Sequence, residues 1–302
     1  MSAPRHILAA TDFSPAATAA AQRAAALARR SGARLTLAHV LPTDELSVWQ
    51  GLLGSGDEAL RSGLRHEAQQ QLTAFAATLG SDPDIETQVL EGQPAAALHE
   101  LAATLAADLL VLGQHGDGSA PAPLLGSTAS KLLRKCRQPV LLVRRPMVDT
   151  DYAALLVAVD FSPASALSIR YARELAPGAQ LTLLHAHEFP YEGKLHFAGI
   201  EPAVIERFRT EMLDQARSSL HRLAAASDPG EMAYDTALLR GAPSRVILEQ
   251  AAARGSDLIV IGKHGRHLVE DLLLGSVTGH VLAAAAADVL VVVDPRRPSA
   301  ER

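Results

Sequence analysis

The chain has 302 residues, of which 48% are hydrophobic and 20% charged, with a net charge of −5 and one cysteine, Cys136. That length predicts about two domains. The acidic balance excludes the basic face that a nucleic-acid backbone reader needs, and the aromatic content of 4% argues against base-stacking platforms. A lone cysteine excludes a disulfide framework and fits a reducing, cytosolic compartment. Asp12 interrupts the first apolar stretch, unlike a signal-peptide core. No apolar run reaches the roughly 18 residues of a membrane span, so no membrane partner is expected.

In chain order, His6 to Thr11 is a short apolar run that reads as a buried strand. Asp12-Phe13-Ser14-Pro15 turns it into an Ala-rich helix through Ser31, with Ser14 as N-cap and Pro15 at the first helical position. Gly32 ends that helix. Arg34 to Val40 is the second strand, and a helix follows from about Glu58 to Leu79. Ile85 to Leu90 is the third strand, and Pro94 opens a helix ending near Ala107. Leu109 to Leu112 is the fourth strand, a helix runs to about Cys136, and Val140 to Val143 is the fifth strand. Residues 144–152 link to the second half.

The second half repeats this order. Leu155 to Val159 ends in Asp160-Phe161-Ser162-Pro163, the same tetrapeptide; Leu181 to His185 matches Leu35 to His39. The long helix is about Pro202 to Ala226, and Gly241-Ala242-Pro243 matches Gly92-Gln93-Pro94. Leu258 to Ile261 matches Leu109 to Leu112, and Val289 to Val293 is the last strand. Strands that alternate with helices, each strand nearly all apolar, predict parallel sheets covered on both faces. The fold class is therefore α/β, with two tandem doubly wound domains at 1–147 and 148–302. Each is a five-stranded parallel open sheet with helices on both faces. Residues 5–144 and 153–294 are expected to superpose as two such sheets rather than one continuous sheet. The last strands are short and fully apolar, and an apolar edge needs cover. They are expected to meet and make the chain an intramolecular pseudo-dimer, with a homodimer of such chains as an extension.

One gapped pattern recurs. Gly262-Lys263-His264-Gly265 is followed by nine residues and Gly275-Ser276; Gly113-Gln114-His115-Gly116 is followed by nine and Gly126-Ser127. Each copy joins a strand to a helix. Gly262 and Gly265 allow positive φ and close backbone approach. A helix start at Gly275-Ser276 offers unpaired N–H groups and partial positive charge, as phosphate cradles do. The same glycines could serve only tight turns. Neither a Walker-type loop nor a dinucleotide fingerprint is present. In open α/β sheets ligands bind beyond the carboxyl ends of the strands, where Asp160 and Gly262, like Asp12 and Gly113, are predicted to lie.

With both tetrapeptides, Asp12-Phe13-Ser14-Pro15 and Asp160-Phe161-Ser162-Pro163, and both glycine motifs, the chain resembles the universal stress protein family in its tandem two-domain form, over essentially residues 5 to 294. The resemblance is to the nucleotide-binding branch. It implies ATP or a related adenine nucleotide, with or without Mg²⁺. It implies Ala158, Val159 and Asp160 at the base and ribose end and Ala186 along the adenine slot. Gly262, Lys263, His264, Gly265, Arg266, Gly275, Ser276, Val277 and Thr278 would surround the phosphates. Asp12, Val40, Gly113, His115, Gly116, Gly126, Ser127 and Thr128 would form a weaker first-half site. In that half the spacer holds Asp117, Pro121 and Pro123, which repel phosphate or remove donors; in the second half Lys263 and Arg266 add positive charge.

His185 and His187 lie two apart at a strand end, and His264 and His267 three apart, but no third ligand is placed, so no metal site is built from protein side chains alone. His39 and His185 read as hydrogen-bonded structural histidines. Cys136 has basic neighbours that could lower its pKa, yet reads as a helix-end residue. No general base or water-positioning residue is placed, so any ATP hydrolysis is expected to be slow. The function expected is a cytosolic stress-response binding module with little turnover. The alternatives are a slow ATPase and a tandem interaction module with vestigial pockets.

Overall fold

The computed structural model describes residues 4–42, 57–80, 84–115, 125–146, 151–189, 194, 197–227, 234–265 and 274–294, with backbone alone at 57–60. The first half runs β1 (His6–Ala10), α1 (Pro15–Ser31), β2 (Arg34–Leu41), α2 (Asp57–Thr78), β3 (Ile85–Glu91), α3 (Pro94–Thr104), β4 (Leu109–Gly113), α4 (Ser127–Lys135) and β5 (Val140–Val143). The second half repeats it as β6 (Ala154–Ala158), α5 (Pro163–Leu175), β7 (Gln180–His187), α6 (Pro202–Ser227), β8 (Tyr234–Arg240), α7 (Pro243–Ala253), β9 (Leu258–Gly262), α8 (Ser276–Ala284) and β10 (Asp288–Val292).

The local signals act as their chemistry requires. The Ser14 hydroxyl accepts from Ala17 N at 3.2 Å, satisfying one orphan donor of α1. Gly32 closes that helix at φ 68°, a left-handed position free of Cβ strain. The first run stops one residue before Thr11, because Thr11 N bonds to Ala38 O and then leaves the sheet.

The strand order is β3-β2-β1-β4-β5-β10-β9-β6-β7-β8. Within each half every pairing is parallel. The halves join through β5 and β10, which pair antiparallel with Leu141 opposite Leu290. The two last edges thus meet as expected, and Leu141 and Val291 are 0% exposed. The expectation of two separate sheets is corrected: backbone hydrogen bonds across that seam make one ten-stranded sheet. An apolar strand edge has unpaired N–H and C=O groups as well as side chains to cover, and a second strand satisfies both.

Alternation along the strands sends successive side chains to opposite faces. Ile7 and Ala9 join a core under α1, α2, α5 and α6; Leu8 and Leu110 join a second core under α3, α4, α7 and α8. Both cores run unbroken across the seam, since Leu141 and Leu290 share the first and Leu142 and Val289 the second. Each fully buried Val or Leu side chain contributes about 1.5–3 kcal/mol. Among the described residues no helix is long and apolar enough to cross a membrane.

Candidate functional site

The site lies at the carboxyl ends of β6, β7 and β9, where the chain leaves the sheet on both sides of the switch in strand order. β6 ends at Ala158, and Val159 N still bonds to Leu184 O at 2.8 Å. Phe161 then takes φ 62°, as Phe13 takes φ 63° in the first half. A left-handed conformation is costly for a bulky side chain. Here each ring is held against a histidine, Phe161 on His185 at 4.5 Å and Phe13 on His39 at 4.7 Å. The histidines are fixed in turn: His185 Nδ1 meets Val159 O at 2.7 Å and His39 Nδ1 meets Thr11 O at 2.9 Å. Both therefore have the structural role expected of them.

This turn aims Asp160 at the β9–α8 connection. Asp160 Oδ1 accepts from Ser162 N at 2.9 Å and from the Ser165 hydroxyl at 2.8 Å, and Ser165 Oγ accepts from Asp160 N at 3.1 Å. On the far wall, Lys263 N bonds to Val292 O and Gly275 N to Lys263 O at 3.0 Å, which brings the two ends of the motif together. The Thr278 hydroxyl donates to Gly262 O at 2.8 Å and ties the first turn of α8 to the end of β9. Gly275 is the N-cap residue of α8 and has no side chain to offer as a cap. The first amides of α8 therefore lack an intrahelical partner, and Ser276, Val277 and Thr278 line the cavity.

The glycines of the motif do not use positive φ: the left-handed glycines among the described residues lie elsewhere. Their reason is close approach. A Cβ on Gly262 would stand 3.0 Å from Ala164 Cβ, on Gly265 3.2 Å from Asp160 Oδ2, and on Gly275 3.1 Å from Lys263 O. On Gly113 it would meet the backbone of Ala16 at 2.7 Å.

Between these walls is a cavity of about 220 Å³. The described second-half candidates other than Lys263 line it: Ala158, Val159, Asp160, Ala186, Gly262, His264, Gly265, Gly275, Ser276, Val277 and Thr278. Leu184, Pro243, Ile247 and Ile261 complete the lining. The Lys263 side chain points elsewhere. Its ammonium donates to Arg134 O at 2.7 Å, at the C-terminal end of α4 in the other half, and the residue is 4% exposed. A helix C-terminus has unpaired carbonyls and partial negative charge, and it attracts the cation away from the cavity. Arg266 lies outside the described residues, as do His267, Gly116 and the spacer positions Asp117, Pro121 and Pro123.

A model of the universal stress protein family matches residues 4–144 and again residues 151–293. The chain belongs to the universal stress protein family. A universal stress protein of Mycobacterium tuberculosis is 30% identical over 239 residues, 77% of this chain and 73% of that protein. One from Mycolicibacterium smegmatis is 29% identical over 295 residues, 95% of this chain and 96% of that one. The solved universal stress protein of Archaeoglobus fulgidus DSM 4304 superposes with a TM-score of 0.63 at 17% identity, covering 96% of this chain and 98% of its own, a likeness of fold.

In this tandem universal stress protein the first-half residues repeat the frame. Gly126 is the N-cap residue of α4, its N bonds to Gln114 O at 3.0 Å, and a Cβ there would stand 3.5 Å from His115 Cα. Ser127 and Thr128 form the first turn of α4, Gly113 ends β4, and Val40 is 8% exposed near the end of β2. Asp12 is exposed where Asp160 is half-buried. Its Oδ1 accepts from Ser14 N at 3.1 Å. The positions of Ser165 and Thr278 are taken by Ala17 and Ala129, both buried.

His185 and His187 project from the face of β7 opposite Ala186, by alternation. The His187 pKa is lowered by burial first, then by His185 and Arg240. Among the described residues no group of three or more His, Cys, Asp or Glu side chains could hold a metal ion. Cys136 is 1% exposed, and burial pushes its thiol up to about 11 against a smaller opposing pull from Lys263.

Proposed function

We propose that the second half binds an adenine nucleotide, ATP with or without Mg²⁺, and that the chain is a cytosolic stress-response protein that holds or senses the nucleotide with little turnover. The observation that carries this reading is a cavity that joins the β6 turn, with Asp160, to the start of α8 at Gly275. Its apolar wall of Leu184, Ala186, Ile247 and Ile261 suits a flat heteroaromatic base. Its opposite end offers helix-start amides and the hydroxyl of Ser276, which suit phosphate oxygens. The first-half residues are the weaker site of the proposal, and assembly of two chains into a homodimer stays within it.

Co-purified nucleotide, identified by mass spectrometry after mild extraction, tests the reading. ATP or ADP near stoichiometric with the chain supports it. Protein that carries none, and that gives no calorimetric signal with ATP, would overturn it. A matched pair of variants ranks the halves. A Cβ on Gly275 or on Gly126 would each stand 3.1 Å from a backbone carbonyl, Lys263 O or Gln114 O. Both valines therefore cost the fold about the same, and a difference in binding reports the ligand. Gly275→Val is expected to abolish the tight phase of ATP binding and Gly126→Val to leave it; the reverse result would move the main site to the first half. One observation favours the second reading, an interaction module with a vestigial pocket: the Lys263 ammonium donates to Arg134 O and the residue does not line the cavity. Absence of bound nucleotide together with a folded chain would select it.

A further inference from the structure

The same tetrapeptide carries two hydrogen-bond patterns in the two halves, because its neighbours differ. In the first half the Ser14 hydroxyl caps α1 by accepting from Ala17 N. In the second half Ser162 makes no side-chain cap, and its hydroxyl has no partner among the described residues. Two neighbours differ: Thr11, whose hydroxyl accepts from Phe13 N at 3.0 Å, becomes Val159, and Ala17 becomes Ser165. Ser165 both donates to Asp160 Oδ1 at 2.8 Å and accepts from Asp160 N at 3.1 Å, so one hydroxyl grips the aspartate by its backbone and its carboxylate. Ser162 N adds a second donor to the same oxygen at 2.9 Å. Oδ1 thus accepts from two donors, whereas Oδ2 lies close beside Gly265 at the cavity wall, 3.2 Å from where a Cβ there would stand. Ser165 itself is 2% exposed and does not line the cavity, so it cannot touch a ligand there.

We propose that Ser165 is a positioning residue of the second-half pocket. By locking Asp160 it presents Oδ2 as a fixed acceptor for a hydrogen-bond donor on the ligand, an exocyclic amine or a sugar hydroxyl. This rests on the nucleotide reading above and adds to it the residue that sets ligand preference and the half in which that preference resides. A carboxylate held before the ligand arrives loses less rotamer freedom on binding than one that must be ordered by it. The first half, with Ala17, lacks this grip on Asp12.

The test uses the full chain and calorimetry with three ligands: ATP, 2′-deoxy-ATP and inosine triphosphate. The analogues lack one sugar hydroxyl or the exocyclic amine. The wild type is expected to prefer ATP over at least one analogue. Ser165→Ala is expected to weaken ATP roughly three- to tenfold, the worth of one buried hydrogen bond, and to shrink that preference by a similar factor. The variant should fold, because alanine already occupies the matching position beside Asp12 with the same turn. A wild type that treats the three ligands alike would sink the inference. So would a variant with unchanged ATP affinity, or one that weakens all three ligands by the same factor, since general damage to the pocket does that. A wild type that binds no nucleotide is a different result, and it would remove the nucleotide reading itself.

Discussion

At the scale of single residues, small buried hydroxyls hold the walls of the pocket in place. Thr278 is 3% exposed and its hydroxyl stitches α8 to Gly262 O. Thr278→Val keeps the shape and removes that bond, so it is expected to cost about 1–2 kcal/mol in denaturant unfolding and to loosen ATP in the same calorimetric assay. Cys136 offers a second check. Its thiol is buried and pushed up to about 11, so it stays neutral near pH 7. Native protein is expected to resist iodoacetamide for hours by intact mass and to label promptly once unfolded; fast native labelling would contradict this burial. Most polar and glycine residues of the cavity were legible in the sequence because the motif spacing recurs. Ala158, Val159, Ala186 and Val277 were named as well, whereas Leu184, Pro243, Ile247 and Ile261 were not, although signals existed. Leu184 stands two residues before Ala186 on the same strand face, and Pro243 and Ile247 stand one turn apart on α7. The direction of the Lys263 side chain had no local signal, because its partner is 129 residues away in sequence.

At the scale of elements, each helix that starts at a glycine cradle ends against a cation from the opposite half. Lys263, just after β9, meets the last turn of α4 at Arg134 O. Arg144, just after β5, donates to Ala285 O and Leu282 O at the end of α8. Burial lowers the Arg144 pKa to about 10, partly offset by Asp288, so the guanidinium remains charged at neutral pH. A cation at a helix C-terminus contributes about 0.3–1 kcal/mol when exposed and up to about 2 kcal/mol when partly buried. Lys263→Met keeps the stem and removes the cap, and is expected to lower stability by about 1–2 kcal/mol, read as a shifted urea midpoint with an unchanged slope. An unchanged midpoint would show that the contact adds nothing. Element types were legible for the strands and long helices, since hydrophobic period and cap residues agree, but the helical residues at Lys194 and Phe197 were not read. Ends were less legible. The helix opened by Pro94 stops at Thr104 rather than near Ala107, because Ala106 turns left-handed at φ 47°. β10 starts one residue early, at Asp288, whose charge disguised it as a loop residue.

At the scale of the whole molecule, Asp288 fastens the passage between the halves. It is 0% exposed and accepts from Arg144 N at 2.8 Å, Arg145 N at 3.2 Å and the Tyr152 hydroxyl at 2.7 Å. Arg23, from α1, lies over the Tyr152 ring at 4.3 Å and approaches the same carboxylate at 4.0 Å. Burial first, then Asp288, raises the Tyr152 pKa well above its ordinary value. Removing one member of such a buried group leaves the others unmatched, so Asp288→Ala is expected to cost about 3–5 kcal/mol. Because the core layers cross the seam, both halves should melt together in one calorimetric transition, and two separated transitions would contradict that. A fragment of residues 1–147 would bare the apolar edge of β5, and it is expected to self-associate in sedimentation runs rather than remain a monomer. The outer edges differ: β3 and β8 carry Glu86, Glu91, Asp235 and Arg240, charges that discourage further pairing.

The antiparallel seam also bears on how the two pockets can change over time. Two separate copies joined this way would come apart on dilution, whereas a short tether keeps the partner edge at an effective concentration on the order of millimolar however scarce the protein is. In a pair of identical copies every mutation appears on both sides of the axis, so a pocket cannot be altered without altering its twin. One chain escapes that constraint: a serine can grip the aspartate of one pocket while an alanine stands beside the other, and the sheet between them need not change at all.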